Sequence, residues 1–300
     1  MKILLFGAQG QVGWELQRSL APLGELVAPG RAGTELCGDF HDVAGLVETV
    51  QAVRPQVIVN AAAYTAVDRA ESEPEVARLI NATAPGALAQ AAQAVGAWFI
   101  HYSTDYVFDG SGEQAWNEND HTAPINVYGH TKLNGEQLVR GAGAQHLILR
   151  TSWVYGARGR NFAKTMLRLA AERSGLEVVD DQVGAPTGAD LLADLTALAL
   201  RSLLRGDGRP GLYHVAASGE TTWNAYARFV IAHAQRSGAV LNAGVEDVKP
   251  IPTSVFPTQA RRPHNSRLDT SSFRRAFCLT LPRWELGVAR MLDEILGQQP

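Results

Sequence analysis

The chain has 300 residues and a net charge of −3, with 46% hydrophobic and 19% charged residues. This composition is typical of a globular protein, and the length allows a large core. The chain lacks the overall positive charge that attracts nucleic acid. No apolar run reaches the roughly 18 residues of a membrane span. We therefore expect no nucleic-acid partner and no membrane association.

Cys37 and Cys278 lie far apart and form neither a C-x-x-C pair nor a zinc-binding spacing. The apolar run at residues 3–6 is too short for the core of a secretory signal peptide. The sequence therefore favours a reduced, cytoplasmic location.

Short apolar runs alternate with helical patterns in the first half of the chain. The predicted strands are residues 3–6, 26–28, 57–60, 98–102 and 147–150. The predicted helices are residues 11–21, 43–53, 75–95 and 126–140. This alternation indicates an α/β fold with a doubly wound parallel sheet, Rossmann-like, covered by helices on both faces.

The second half has a looser pattern. The predicted helices are residues 161–171, 190–204 and 223–235, followed by a last helix after Pro282. Strands are expected at residues 177–179 and 212–215, and a proline-rich stretch contains Pro250, Pro252, Pro257 and Pro263. We predict a first, Rossmann-like domain at about residues 1–152. Residues 153–300 should form mainly a smaller C-terminal substrate-binding lobe, with some chain crossing back.

Three glycines, Gly7, Gly10 and Gly13, directly follow the first predicted strand and open a helix. Glycines there allow a tight turn and let the backbone approach a pyrophosphate, whose charge the helix N-terminus stabilises. A plain strand-to-helix turn would use similar residues. The position after the first strand nevertheless favours dinucleotide binding, with Gln11 and Val12 as further contacts. Residues 1–152 are therefore the predicted NAD(P)-binding domain. The spacing resembles that of the extended short-chain dehydrogenase/reductase superfamily.

Tyr128 and Lys132 lie four residues apart in a predicted helix, which puts both side chains on one face. We expect the ammonium to lower the pKa of the phenol, so that Tyr128 can act as a proton donor. The pair alone would also fit a surface helix. In the superfamily that the chain resembles, this lysine also bonds the nicotinamide ribose.

Thr104 and Asp105 follow the fourth predicted strand. We expect Thr104 to hydrogen-bond a substrate carbonyl oxygen and to stabilise its growing charge. Asp105 would tune the site or hold a sugar hydroxyl, unless it is only a turn carboxylate. Thr104, Tyr128 and Lys132 are the predicted catalytic residues.

The end of the second predicted strand has no carboxylate to hold a ribose hydroxyl, and Arg31 follows it. Arg31 would suit a 2′-phosphate, although it could equally be a solvated loop residue. NADPH is therefore favoured over NADH. By the resemblance, Asp39 receives the adenine amino group. The further predicted cofactor contacts are Phe40, Ala62, Ala63, Tyr64, Tyr102, Tyr128 and Lys132.

Several local segments closely resemble the dTDP-4-dehydrorhamnose reductase family. They are residues 60–71 (NAAAYTAVDRAE), 101–108 (HYSTDYVF), 150–155 (RTSWVY), 161–166 (NFAKTM), 181–187 (DQVGAPT) and 262–268 (RPHNSRL). The resemblance implies reduction of the 4-keto group of dTDP-4-dehydro-β-L-rhamnose to dTDP-β-L-rhamnose. The implied substrate contacts are Val67, Asp68, Thr104, Asp105, Tyr128, Trp153 and Arg262.

The family resemblance also implies a homodimer with Mg²⁺ at its interface, to which Glu15 could contribute. An ordinary helix carboxylate is the default for Glu15, so no metal ligand is predicted. Two other functions stay open: a nucleotide-sugar epimerase or dehydratase on the same fold, and a non-enzymatic regulatory subunit such as the partners of methionine adenosyltransferase. The presence of Thr104, Tyr128 and Lys132 favours an enzyme.

Overall fold

The structure is a computed structural model, and it describes residues 1–31 and 35–297. The strands are β1 (Lys2–Phe6), β2 (Glu25–Val27), β3 (Val57–Asn60), β4 (Trp98–Thr104), β5 (His146–Thr151), β6 (Val154–Tyr155), β7 (Leu176–Val179), β8 (Val183–Gly184), β9 (Thr187–Gly188), β10 (Gly211–His214), β11 (Thr221–Thr222) and β12 (Val248–Ile251). The helices are α1 (Gln11–Leu20), α2 (Val43–Val53), α3 (Val67–Ser72), α4 (Pro74–Arg78), α5 (Ala84–Val95), α6 (Val127–Gly141), α7 (Phe162–Glu172), α8 (Ala189–Arg205), α9 (Trp223–Arg236), α10 (Ser271–Phe277) and α11 (Trp284–Ile295).

The central sheet has six parallel strands in the order β10-β5-β4-β3-β1-β2. The chain runs outward from β1 to β2, then returns to β3 and continues in the other direction. The predicted doubly wound fold is therefore confirmed. Ligands of such sheets bind at the carboxyl ends of the strands where the direction changes, here between β1 and β3.

Residues of β1 alternate between two layers of the core. Ile3 and Leu5 pack with α1, α8 and α10, whereas Leu4 and Phe6 pack with α2, α5 and α6. This burial on both faces explains why the strands are almost continuously apolar. The layers hold the carboxyl ends of the strands at one edge of the sheet.

The second half of the chain has its own apolar cluster, formed mainly by α7, α9, α11, β7 and β12. β10 leaves this half and pairs with β5 at the edge of the central sheet. The division of the chain near residue 152 stays a prediction. Within the described residues, no helix is long and apolar enough to span a bilayer.

The predicted helical stretch at residues 75–95 is confirmed, but its geometry changes within the stretch. A π-helical turn, Leu79–Thr83, separates α4 from α5. Pro85 has no N–H with which to bond the carbonyl of Asn81. That carbonyl instead faces α6, where a Cβ on Gly135 would lie only 2.1 Å from it.

The two-residue strands β6, β8, β9 and β11 were missed in the sequence, as were three longer elements. The helices α3 and α10 have only six and seven residues, too few to show a clear period. β12 contains Pro250 and lies in a two-stranded pair with β7, where a missing N–H is tolerated. β4 extends two residues beyond its predicted end, so Thr104 is its last residue.

A buried ion pair joins α6 to β5. Arg150 donates from Nε and Nη2 to the two carboxylate oxygens of Glu136, at 2.8 and 2.7 Å, and both side chains are almost fully buried. Glu136 also accepts from the hydroxyl of Ser103 on β4. The pair thereby fixes α6 against two neighbouring strands.

We predict that Glu136→Ala lowers the free energy of unfolding by about 3–5 kcal/mol, because Arg150 is left as an unpaired buried charge. Urea unfolding followed by circular dichroism measures the loss. Glu172→Ala is the matched control, since it removes the exposed pair with Arg168 and should cost no more than about 1 kcal/mol. Equal losses in the two variants would contradict the prediction.

Candidate active site

Two adjoining cavities open at the carboxyl ends of the central strands. The outer cavity, of about 190 Å³, lies between the turn after β1 and residues 29–31 and 38–41. The central cavity, of about 610 Å³, lies above β1, β3, β4 and β5. Gly7, Gly10, Ala62 and Ala63 line both, so one elongated ligand can extend from one cavity into the other.

The turn after β1 is packed too tightly for side chains. Gly7 has φ +80°, and a Cβ there would lie 2.5 Å from the amide nitrogen of Ala62. A Cβ on Gly13 would lie 2.0 Å from the carbonyl oxygen of Gly7. The next helix, α1, has no side-chain cap at Gly10. The first backbone N–H groups of α1 are therefore free to bind a phosphate. Dinucleotide-binding folds hold the pyrophosphate in this way, at a helix N-terminus.

Arg31, Asp39 and Phe40 line the outer cavity together with His41. Asp39 bonds the ring of His41 at 2.9 Å and lies 3.4 Å from Arg31. The pKa of Asp39 is lowered, first by the hydrogen bond from His41. Arg31 and His41 thus present nitrogen atoms on one side of the cavity. His41 was missed because a lone histidine in a loop has no characteristic spacing.

The three predicted catalytic residues all line the central cavity. Thr104 ends β4, and its hydroxyl is hydrogen-bonded to Tyr128 near the start of α6. The ring of Tyr106 packs edge-on against that of Tyr128, with the centroids 5.5 Å apart. Lys132 lies one turn further along α6.

The expectation that Lys132 lowers the pKa of Tyr128 is wrong for this arrangement. Burial raises the pKa of Tyr128 to about 12, opposed by the hydrogen bond with Thr104. The ammonium of Lys132 instead donates to the carbonyl oxygen of Tyr102 at 2.6 Å. Burial lowers the pKa of Lys132 to about 8, although the charge of Glu136 opposes this shift. Lys132 is therefore the group of the pair that titrates closer to neutral pH.

Asp105 is buried at the wall of the central cavity. Its Oδ1 accepts from Thr104, whereas Oδ2 has no hydrogen-bond partner among the described residues. Burial is the main cause that raises the pKa of Asp105 to about 6, and the hydrogen bond from Thr104 opposes it. An unpaired oxygen on a cavity wall is suited to accept a hydrogen bond from a ligand hydroxyl.

Two stacked indole rings form one wall of the central cavity. The rings of Trp153 and Trp223 lie 3.6 Å apart and nearly parallel. Trp153 adopts φ +49°, a left-handed conformation that costs energy for a bulky residue. Trp223 also lines a third cavity of about 510 Å³, so it separates the two spaces. It was missed because its partner lies 70 positions earlier in the sequence.

Most of the other predicted cofactor and substrate residues line one of these cavities. Those at the central cavity are Gln11, Val12, Val67 and Tyr102. Asp68 and Arg262 line the third cavity instead, and they form an ion pair at 2.7 Å. Tyr64 lines none of the three: its hydroxyl donates to Glu73 at 2.6 Å.

Glu15 lies on α1 and pairs with Arg18 at 3.5 Å. In residues 1–31 and 35–297, no group of three or more histidine, cysteine, aspartate or glutamate side chains is placed to hold a metal ion.

The model of the family described as RmlD substrate binding domain matches residues 1–296. The dTDP-4-dehydrorhamnose reductase of Escherichia coli (strain K12) is 59% identical over 295 residues, which are 98% of each chain. A solved dTDP-4-dehydrorhamnose reductase from Bacillus anthracis, in complex with NADP, has a TM-score of 0.86 at 35% identity and covers 98% of this chain and 99% of its own. One from Clostridium acetobutylicum has a TM-score of 0.88 at 33% identity, with the same coverage.

Asp105 should make stability depend on pH. Its pKa is raised from 3.8 to about 6 in the folded chain. The folded state therefore keeps a proton that the unfolded state has released, and this contribution to stability is lost as pH rises through about 6.

We compare the free energy of unfolding of the wild type with that of Asp105→Asn. We predict that the wild-type value, minus that of the variant, falls by about 1 kcal/mol between pH 5 and pH 7. Urea unfolding at the two pH values measures it. The exposed Asp207→Asn is the control for loss of a surface carboxylate. A difference that does not change with pH would contradict the prediction.

Proposed function

Because the chain belongs to the RmlD substrate binding domain family, we propose that it reduces the 4-keto group of dTDP-4-dehydro-β-L-rhamnose with NAD(P)H. The observation that carries the proposal is the hydrogen-bonded pair of Thr104 and Tyr128 in the cavity that the glycine turn also lines. A carbonyl reductase needs a dinucleotide site and a proton donor within one cavity, and this chain has residues suited to both.

A reduced nicotinamide bound at the glycine turn would supply the hydride. The hydroxyls of Thr104 and Tyr128 would both bond the substrate carbonyl oxygen and stabilise its growing negative charge. Tyr128 would then donate its proton to that oxygen. Because burial raises its pKa to about 12, its phenol is protonated at neutral pH before the reaction.

The sugar ring would lie between these hydroxyls and the indole of Trp153, whose flat face suits the apolar side of a sugar. Asp105 Oδ2 would accept a hydrogen bond from one of its hydroxyls. Val67 lies at the same cavity. These contacts would orient the carbonyl carbon without taking part in the proton transfer.

The third cavity is suited to the nucleotide of the substrate. It adjoins the central cavity at Tyr106 and Trp223, and its lining includes Phe256, Arg173 and Arg262. Phe256 offers a face for a base, and the two arginines suit a diphosphate.

Arg31 and His41 support NADPH as the preferred cofactor, because both side chains face the cavity where a 2′-phosphate would lie. The proposal extends, by family resemblance, to a cytoplasmic homodimer with Mg²⁺ at its interface. Glu15 would then be one of several donors. A single chain brings no such cluster together among its described residues, so a second copy would have to complete the site.

We predict that dTDP-4-dehydro-β-L-rhamnose causes stoichiometric oxidation of NADPH, followed by the absorbance of the reduced nicotinamide. Tyr128→Phe should lower kcat by about 100-fold or more, because the proton donor is lost, while NADPH binds as before. Isomerised or dehydrated sugar without loss of NADPH would indicate the epimerase or dehydratase. No turnover of an authentic substrate would contradict an enzymatic role.

We also predict that Arg31→Ala weakens NADPH binding by about tenfold and NADH binding much less, because only NADPH has a 2′-phosphate. Isothermal titration calorimetry measures both. Arg168→Ala, which removes an exposed arginine on α7, is the control. An unchanged ratio of the two dissociation constants would show that Arg31 does not select the cofactor.

A further inference from the structure

A row of buried polar side chains extends from Lys132, at the wall of the central cavity, into the core, and the mechanism above gives it no role. It consists of Asn60 at the end of β3, His101 in β4 and Lys132 on α6. Asn60 and His101 are paired in register across the two strands. The exposed fractions are 1%, 0% and 2%, so the described chain screens all three side chains from solvent.

The hydrogen bonds of Asn60 assign the tautomer of His101. Asn60 Oδ1 accepts from the backbone N–H of Ala62 at 3.0 Å. The amide nitrogen therefore faces Nδ1 of His101, at 3.2 Å, and donates to it. Burial, together with the charge of Lys132, holds the pKa of His101 well below its ordinary value. A neutral imidazole that accepts at Nδ1 has its hydrogen on Nε2.

That N–H points at Lys132. Nε2 of His101 lies 3.5 Å from Nζ of Lys132, which itself donates to the carbonyl oxygen of Tyr102. Two donors facing each other are unfavourable while Lys132 is an ammonium. They become favourable when Lys132 is a neutral amine, because its lone pair can then accept the N–H of His101.

The other charged neighbours of Lys132 do not cancel this effect. On α6, Tyr128 lies one turn before it and is neutral, and Glu136 lies one turn after it. The charge of Glu136 favours the ammonium. However, both oxygens of Glu136 accept from Arg150, which neutralises much of that charge.

The remaining elements around the row contribute little charge. From the turn after β4, Asp105 acts on Tyr128. From the π-helical turn, the neutral amide of Asn81 bonds Thr131 on α6. Burial is the main cause that lowers the pKa of Lys132. The Nε2–H of His101 is the one contact in this row that would oppose a proton on Lys132 by its geometry.

We propose that His101, held by Asn60, is a positioning residue that makes Lys132 release a proton readily, so that Lys132 can reprotonate Tyr128 in each cycle. This inference rests on the reductase function proposed above. It gives a role to a histidine that touches neither substrate nor cofactor.

The carbonyl carbon gains a hydride and is reduced, the nicotinamide is oxidised, and the carbonyl oxygen takes the phenolic proton of Tyr128. The phenolate then takes a proton from Lys132 through a hydroxyl or water in the central cavity. Lys132, now an amine, accepts the Nε2–H of His101 and regains a proton from solvent after product release. One hydride and one solvent proton are consumed for each carbonyl.

Lysine NMR tests the proposal without turnover. The chain has only four lysines, so ¹³Cε labelling gives a simple spectrum, in which the missing signal of Lys132→Met assigns Lys132. We predict that His101→Phe, which lacks the N–H, raises the midpoint of Lys132 by about one pH unit from about 8. His101→Gln, whose amide can present an N–H near the same place, should restore it. His146→Gln, on β5, is the control histidine.

Two NMR results would overturn the proposal: equal Lys132 midpoints in the wild type and His101→Phe, or a ¹⁵N-histidine spectrum in which Nδ1 of His101 bears the hydrogen. If His101→Phe does not fold, the ¹⁵N spectrum of the wild-type protein still decides the tautomer. If the Lys132 midpoints and the His101 tautomer are as expected but the protein has no reductase activity, the proposed function is wrong while the effect of His101 on Lys132 stands.

The pH dependence of kcat is the functional readout. Turnover requires a protonated Lys132 to reprotonate Tyr128. We therefore expect kcat to fall as pH rises through the pKa of Lys132. In His101→Phe this alkaline limb should move up by about one pH unit and the plateau should fall, since a more basic group donates less readily. A purely structural role for His101 would lower the plateau without moving the limb, and that outcome would also refute the proposal.

Discussion

The buried ion pair between Glu136 and Arg150 fixes the helix on which the proposed chemistry depends. Tyr128, Lys132 and Glu136 are spaced four residues apart, so all three lie on the face of α6 that meets the sheet. Each contacts a different residue of β4: Tyr128 bonds Thr104, Lys132 bonds the carbonyl of Tyr102, and Glu136 bonds Ser103. The ion pair anchors one end of this helix face, and the candidate active site lies at the other end.

Close packing of α6 makes these short contacts feasible. A Cβ on Gly129 would lie 2.2 Å from the carbonyl oxygen of Tyr106, and one on Gly135 would lie equally close to that of Asn81. The backbone of α6 can therefore lie in direct contact with the backbone of the turn after β4 and of the π-helical turn. A larger residue at either position would push Tyr128 and Lys132 away from β4.

Local sequence patterns were sufficient to predict the architecture, whereas the family resemblance supplied much of the predicted cavity lining. The alternation of strands and helices identified the sheet, and the glycines at 7, 10 and 13 lie where a parallel sheet binds a dinucleotide. Features that depend on tertiary neighbours were not predictable. The pKa of Tyr128 follows from its burial rather than from its spacing to Lys132, and Trp223 meets Trp153 only in the folded chain. Tyr64 belongs to a segment typical of the family, yet its hydroxyl turns towards Glu73.

β10 gives the two halves of the chain a shared sheet. It covers the outer edge of β5 with four paired residues, Gly211–His214. A fragment ending at residue 152 would leave that edge with free backbone amides and carbonyls, which readily pair with other chains. The half that carries the glycine turn thus depends on the other half for protection against aggregation, as well as for the walls of its cavity.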